Sequence, residues 1–336
     1  MTFEKTIFSA LNSQPFIIAE VGINHNGNLD LAKKTIESAH NAGASAVKLQ
    51  TFRAETMCLK SSPYFSLFQQ CELSASEINE LNIFCKNLNI NLFSTVFDEW
   101  AVDTWVKLDP AFIKIASGDI THIPLIKYAA STNIPLIIST GGSNLKEIEI
   151  ALDAIYSSSK QKEVYILHCV SNYPTDAKDV NLSCIKEMQN KFNLPIGFSD
   201  HTEGNAVSIA AVASGALLIE KHFTLDRSLE GPDHKLSSNP GDFKKLVDDL
   251  KIAYLSKGIK DKRVVEDSDF IKQIRRSISA SINISAGTVI DKSMLVIRRP
   301  GNGIQPIDID KLIGSKVKND IQKDQIIDWK DIIEIG

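Results

Sequence analysis

The sequence is poor in cysteine. Its five, Cys58, Cys71, Cys85, Cys169 and Cys184, are odd in number, scattered and never in CxxC spacing. That distribution gives neither a disulfide framework nor a cysteine-built zinc site, and free thiols in a reducing cytoplasm are expected. Long apolar runs are missing too, so no bilayer span is expected. The opening MTFEKTIFSALNSQPF has no long apolar core of the kind that marks a secretory leader. Nor does one charge dominate: 37 Lys and Arg stand against 41 Asp and Glu, a net charge of -4. This leaves no basic footprint for nucleic acid. What is present, 336 residues that are 43% hydrophobic and 23% charged, is enough for one large core and a small second domain.

The organising stretch is Pro195 to Ser237. It reads as strand, helix, strand and a Gly-Pro loop, and each strand run ends near one histidine, His201 and His222. Asn205 to Ser214 is alanine-rich and evenly apolar, and Gly215 stands where a helix should stop. Consecutive parallel strands lie side by side, so the two imidazoles are expected to face one another across one or two strand spacings, each about 4.8 Å.

The same alternation runs through the chain. Strands are expected at Phe16–Glu20, Ala46–Gln50, Asn91–Phe97, Phe112–Ser117, Leu136–Thr140, Val164–Cys169, Ile196–Ser199 and Leu217–Lys221. Between them lie helical patterns, one after Asp30, one opening at Ser76 and one after Asn144. Eight such repeats within residues 1–257 predict a (β/α)8 TIM barrel. An open doubly wound sheet is less well supported, because no GxGxxG follows the first strand. Residues 258–276 turn charged and read as a linker. Residues 277–336 read as a small β-rich domain with an internal echo, in which the segment from Ile284 returns 37 positions later from Ile321.

In such a barrel the chemistry belongs at the C-terminal strand ends. Glu20, Lys48, Thr95, Lys114, Ser117, Asp119, Ser139, Asn172, Ser199, His201 and His222 all fall there. Lys48 and Lys114 sit inside apolar runs, SAVKLQ and AFIKIAS, where a charge needs a partner. Two lysines among several hydroxyls suit a phosphorylated anion. Two histidines make an open metal site completed by oxygen ligands, which suits Mn2+, Mg2+ or Co2+ better than a closed zinc site. His25 and His234, in glycine-containing loops, read equally well as turn residues.

Seven collinear motifs, IAEVGINHNGN (18–28), VKLQTF (47–52), FIKIASGD (112–119), ISTGG (138–142), FSDHT (198–202), IEKHFTLDR (219–227) and GPDHKLS (231–237), resemble the sialic acid synthase family of nonulosonic acid synthases. The last 60 residues, with RRPGNGI, are similar to its C-terminal antifreeze-like (SAF) domain. The resemblance implies condensation of phosphoenolpyruvate with an N-acylated mannosamine-type sugar, N-acetylmannosamine or a 2,4-diacetamido-trideoxy hexose, to a nine-carbon 2-keto acid plus phosphate. It implies a divalent metal on His201 and His222, most readily Mn2+. Phosphoenolpyruvate would lie among Lys48, Thr95, Lys114, Ser117, Ser139, Asn172 and Ser199, with Glu20 and Asp233 on the sugar hydroxyls. It further implies a domain-swapped homodimer in which Arg299 reaches the partner's sugar site. After Ser117-Gly118 the family often has glutamate; here Asp119 is one methylene shorter. Two other readings stay open: a metal-dependent pyruvate aldolase on the same barrel, and a non-catalytic surface-binding protein.

Overall fold

Inward-facing side chains every second residue decide the architecture. The computed structural model describes residues 14–160, 163–258 and 261–333, so the N-terminal segment read for a leader lies mostly outside the described residues. Eight parallel strands close into a barrel in sequence order. They are β1 (Phe16–Gly22), β2 (Ala46–Thr51), β3 (Asn91–Val96), β4 (Ile113–Ile115), β5 (Leu136–Ser139), β6 (Val164–Cys169), β7 (Ile196–Asp200) and β8 (Leu218–His222). An outer ring of helices covers them: α1 (Leu29–Asn41), α2 (Ala75–Leu88), α3 (Glu99–Val106), α4 (Ile123–Ser131), α5 (Leu145–Ser158), α6 (Ser183–Phe192), α7 (Ala206–Ala213) and α8 (Pro240–Ser256). The expected TIM barrel is the observed fold.

Helix starts follow capping chemistry. Asn28, rather than Asp30, caps α1 by accepting from the Leu31 amide. Ser74 caps α2 in a reciprocal box with Glu77, two residues before the expected start at Ser76. Asn144 and Glu147 form the same box at α5, as the sequence suggests. At the strands, β4 is shorter than expected because Ser117–Asp119 winds into a 3-10 turn. β8 runs on to include His222.

Strand parity separates three layers. Phe16, Ile18, Ala46, Phe93, Phe112, Ile137, Tyr165, Leu167 and Leu218 fill the lower interior as one apolar cluster. Phe112 meets Phe16, Phe93 and Tyr165 edge to face at 5.8, 5.5 and 5.5 Å. This plug forms an apolar floor beneath the C-terminal strand ends. Outward-facing residues of the same strands pack under the helices in the main core. Gly197 is where strands crowd most: a Cβ there would lie 2.5 Å from Leu167 Cδ2 and 2.6 Å from the Leu218 carbonyl oxygen.

The chain divides into two compact units, Met1–Gly258 and Ile259–Gly336. In the second, a short helix at Ser268–Ile274 precedes β9 (Ser277–Ala280) and β10 (Leu295–Arg298), which pair antiparallel, as do β11 (Lys316–Val317) and β12 (Ile332–Ile333). The stretch read as a linker is therefore partly helical, and the Lys272 carbonyl accepts from the Gly301 amide. The internal echo has a structural counterpart. Ile284 and Ile321 exchange two backbone hydrogen bonds of 2.8 Å. Asp291 and Asp328, at matching places in the echo, each cap a 3-10 turn that leads into a strand.

Candidate active site at the mouth of the barrel

Above the aromatic floor, the inward positions turn polar. Glu20, Lys48, Gln50, Thr95, Lys114, Ser139, Ser199, His201 and Glu220 converge on one cavity of about 520 Å³. Lys48 Nζ lies 2.7 Å from Glu20 and 3.7 Å from Glu220, and donates to Thr95 Oγ1 at 2.7 Å. Lys114 donates to Ser139 Oγ at 2.6 Å and lies 3.7 Å from the other Glu220 oxygen. Glu220 thus bridges the two ammonium groups, and Ser199 donates to it at 3.3 Å. All four charged side chains are buried.

Burial and proximity set their protonation. Burial would raise the Glu220 carboxyl, but Lys114 and Lys48 together hold it well below the usual range. Burial drives the Glu20 carboxyl the other way, upward, and Lys48 only partly offsets it. Burial lowers Lys114, and Glu220 only partly compensates. Lys48, despite the same burial, is held above its ordinary value by Glu20 and Glu220.

The two histidines come together as the strand reading expects. Their ring centroids are 5.5 Å apart, and the Tyr173 ring lies 4.1 Å from that of His201, tilted by 36°. His201 Nδ1 is 2.8 Å from the Val170 carbonyl, which leaves Nε2 as its free ligand atom. His222 Nδ1 is buried with no hydrogen-bond partner and lies 3.8 Å from an Asp233 oxygen. Burial lowers the His222 imidazole and so favours its neutral, ligating form. Among the described residues no group of three or more His, Cys, Asp or Glu is arranged to hold a metal. The protein therefore offers two imidazoles, one with an unmet buried nitrogen, and leaves the rest of a coordination shell to oxygen donors. An unmet buried imidazole nitrogen beside a second imidazole is a donor set that a divalent cation would fit.

Other expected residues lie differently. Ser117 lines the cavity, accepts from the Gly141 amide and hydrogen-bonds the Cys169 thiol on the same wall. Asn172 is exposed and does not line the cavity, whereas its neighbours Ser171 and Tyr173 do. Asp119 is turned to His122 Nδ1 at 3.5 Å, and Gly118, Ile120 and Thr121 contribute the wall around it. Arg299 is exposed on its loop in the second unit. His25 is buried and accepts from the Gly27 amide, and His234 is buried between Thr224 and Asn26, so both hold loops.

Comparison with known proteins decides the family. Residues 35–262 match the model of the NeuB family, and residues 275–333 match the SAF domain. The chain belongs to the NeuB family. It is 38% identical over 335 residues to the N,N'-diacetyllegionaminic acid synthase of Legionella pneumophila, with 94% of each chain covered. To the human N-acetylneuraminate-9-phosphate synthase it is 32% identical over 330 residues, covering 93% of this chain and 91% of that one. Among solved structures, it is similar to an N-acetylneuraminic acid synthetase from Leptospira borgpetersenii crystallised with citrate, at 35% identity and a TM-score of 0.73 over 77% of this chain and 89% of that one. This NeuB-family chain is accordingly a synthase of the nonulosonic acid type, an enzyme of the transferase kind.

Sequence reasoning passed over Glu220 and Cys169. Glu220 carried a usable signal. It lies in the apolar run LLIEKH two residues before His222, which gives it the same inward parity. Cys169, on the cavity wall, lies 3.8 Å from His201 Nδ1 and reads from sequence as an ordinary strand residue. No helix among the described residues is long and apolar enough to cross a membrane.

Proposed function

We propose that this enzyme condenses phosphoenolpyruvate with an N-acylated mannosamine-type sugar to a nine-carbon 2-keto sugar acid, releasing phosphate. The observation that carries the reading is the pair Lys48 and Lys114, both buried on one cavity wall, both hydrogen-bonded to hydroxyls and bridged by Glu220, which presents two ammonium groups to a volume that a small anion fits. Their ammonium groups would hold the phosphate and carboxylate, and Thr95, Ser117, Ser139 and Ser199 would give directional hydrogen bonds. Glu220 keeps the two ammonium groups converging on one volume before substrate arrives, a preorganised electrostatic role. Glu20, whose carboxyl burial pushes upward, can take up a proton when the anion displaces it from Lys48.

The imidazoles of His201 and His222 would hold a divalent metal, Mn2+ foremost and Mg2+ or Co2+ as alternatives, which when bound supplies Lewis acidity at the aldehyde oxygen of the open-chain sugar. With the sugar's C1 held against the enol by Glu20 and Asp233, C3 of phosphoenolpyruvate forms the new carbon–carbon bond. Water adds at C2, and the adduct loses phosphate by breaking the C2–O bond. The balance is one phosphoenolpyruvate, one sugar and one water to one acid and one phosphate.

Similarity to a synthase named for N,N'-diacetyllegionaminic acid favours 2,4-diacetamido-2,4,6-trideoxymannose as the sugar. The cavity wall supports an unphosphorylated one, because its lining residues include no lysine or arginine beyond Lys48 and Lys114. We also propose a dimer in which Arg299 of the partner subunit reaches the sugar end of the site. Cysteines placed at Arg299 and Glu20 in separate copies would then cross-link between chains; linkage within one chain, or none, would contradict it.

The aldolase alternative takes pyruvate and leaves the lysines without a phosphate. Phosphoenolpyruvate carrying heavy oxygen at the bridging position separates the two. The label is expected in the released phosphate. Label kept in the acid, or turnover of pyruvate without phosphate, would overturn the condensation.

A further inference from the structure

One buried charge pair lies outside the cavity, on the opposite face of the strands that carry the histidines. Asp200 and Lys221 are register partners on β7 and β8, and each directly precedes a histidine. Parity turns them away from the cavity, whereas His201 lines it and His222 shares the inward parity of Glu220. Asp200 is 1% exposed and Lys221 4%. Their heads are 2.8 Å apart. No apolar packing need explains ions at this depth, since a hydrophobic pair of similar volume is often as stable or more so.

The hydrogen bonds around the pair show what it fixes. Asp200 Oδ1 accepts from both the amide and the hydroxyl of Thr202, at 2.8 and 2.7 Å, so the chain is pinned on both sides of His201. Asp200 Oδ2 accepts from Ser208 Oγ of α7 at 2.5 Å and from Lys221. Lys221 Nζ donates also to the Thr202 carbonyl at 2.9 Å, which ties the residue before His222 to the residue after His201. Every oxygen of the carboxylate has a partner, so the network is closed and directional. Neighbouring loops hold the histidine backbones as well: the His201 carbonyl accepts from the Thr175 amide, and the His222 carbonyl from the Ser238 amide.

We propose that the Asp200–Lys221 pair positions the two imidazoles. It sets the spacing and relative rotation of His201 and His222 from behind the sheet, and it touches neither substrate nor metal. The inference rests on the metal reading of the histidines given above. Outer partners that orient metal ligands typically change metal affinity by about 10–100-fold when removed. A purely structural ion pair would instead change stability alone.

The test is Mn2+ binding to the free enzyme, read by electron paramagnetic resonance of unbound Mn2+, beside the thermal midpoint. Four proteins are compared: wild type, Lys221→Arg, Lys221→Met and the double variant Asp200→Leu with Lys221→Met. Lys221→Met leaves a buried carboxylate unpaired and is expected to lose stability. The double variant removes both charges and is expected to recover most of it. Positioning requires that the double variant, though folded, still binds Mn2+ at least about tenfold more weakly than wild type, and that Lys221→Arg keeps affinity within about threefold. A folded double variant with wild-type Mn2+ affinity overturns the proposal. If wild type itself binds no Mn2+, the metal reading fails first, a result that differs from equal binding by all four.

Discussion

Glu20 and Lys48 are register partners on β1 and β2, and their side-chain heads meet at 2.7 Å inside the barrel. Neighbouring parallel strands thus aim an acid and a base at the same point, directly above the aromatic floor. Gln50 donates to the other Glu20 oxygen at 2.9 Å. Lys48→Met is expected to cost about 3 kcal/mol of stability, because a buried carboxylate loses its counter-charge. Urea unfolding checks this, and Glu20→Gln added to Lys48→Met should return a good part of the loss. No recovery would mean the two groups are not coupled.

Glu220 faces both lysines, so Glu220→Gln removes their shared neutralising partner while leaving shape nearly unchanged. Two freed ammonium groups should hold the anion at least as well but less precisely aimed. Steady-state kinetics should show kcat reduced by about 100-fold or more, with KM for phosphoenolpyruvate unchanged or lower. An unchanged kcat would remove Glu220 from the site.

His25 gives the fold a pH dependence of its own. Burial pushes its imidazole from 6.5 down to about 4, with Glu77 and the Gly22 carbonyl opposing only partly. Above the unfolded value His25 is neutral in both states and costs nothing. As pH falls from 6.5 toward 4, the unfolded chain takes up the proton and the folded chain does not, so stability is lost. The loss over that window is about 3 kcal/mol. Urea midpoints across the window measure it, and His25→Gln should flatten the slope.

Gly197 on β7 has the Leu218 backbone and the Leu167 side chain within 2.7 Å of any added Cβ. Gly197→Ala should therefore destabilise the barrel by about 3 kcal/mol, through crowding between strands rather than through lost helix or turn geometry. A thermal midpoint within a degree of wild type would show that β6 and β8 can move apart more easily than their registers suggest.

Much of this was legible in the chain because short buried strands leave unmistakable apolar runs and caps leave side-chain signatures. Lys48 and Lys114 stood out as charges in those runs. Glu220 obeyed the same logic but stood beside Lys221, and only strand parity tells the inward acid from the outward base. Asp119 and Asn172 lie where the chain leaves its strand, in a 3-10 turn and a Pro-containing loop. No period fixes side-chain direction there, so sequence position could not say that one would turn to His122 and the other to solvent. The Asp200–Lys221 pair was hidden for a similar reason: its partners, Thr202 and Ser208, join it only once α7 packs behind β7.

The most direct measurement is phosphate release from phosphoenolpyruvate with Mn2+, offering N-acetylmannosamine and 2,4-diacetamido-2,4,6-trideoxymannose in parallel, with His222→Ala as control. The account expects metal-dependent release with the diacetamido sugar, strongly reduced for the control. Release with neither sugar, from a protein that also fails to bind Mn2+, would contradict it.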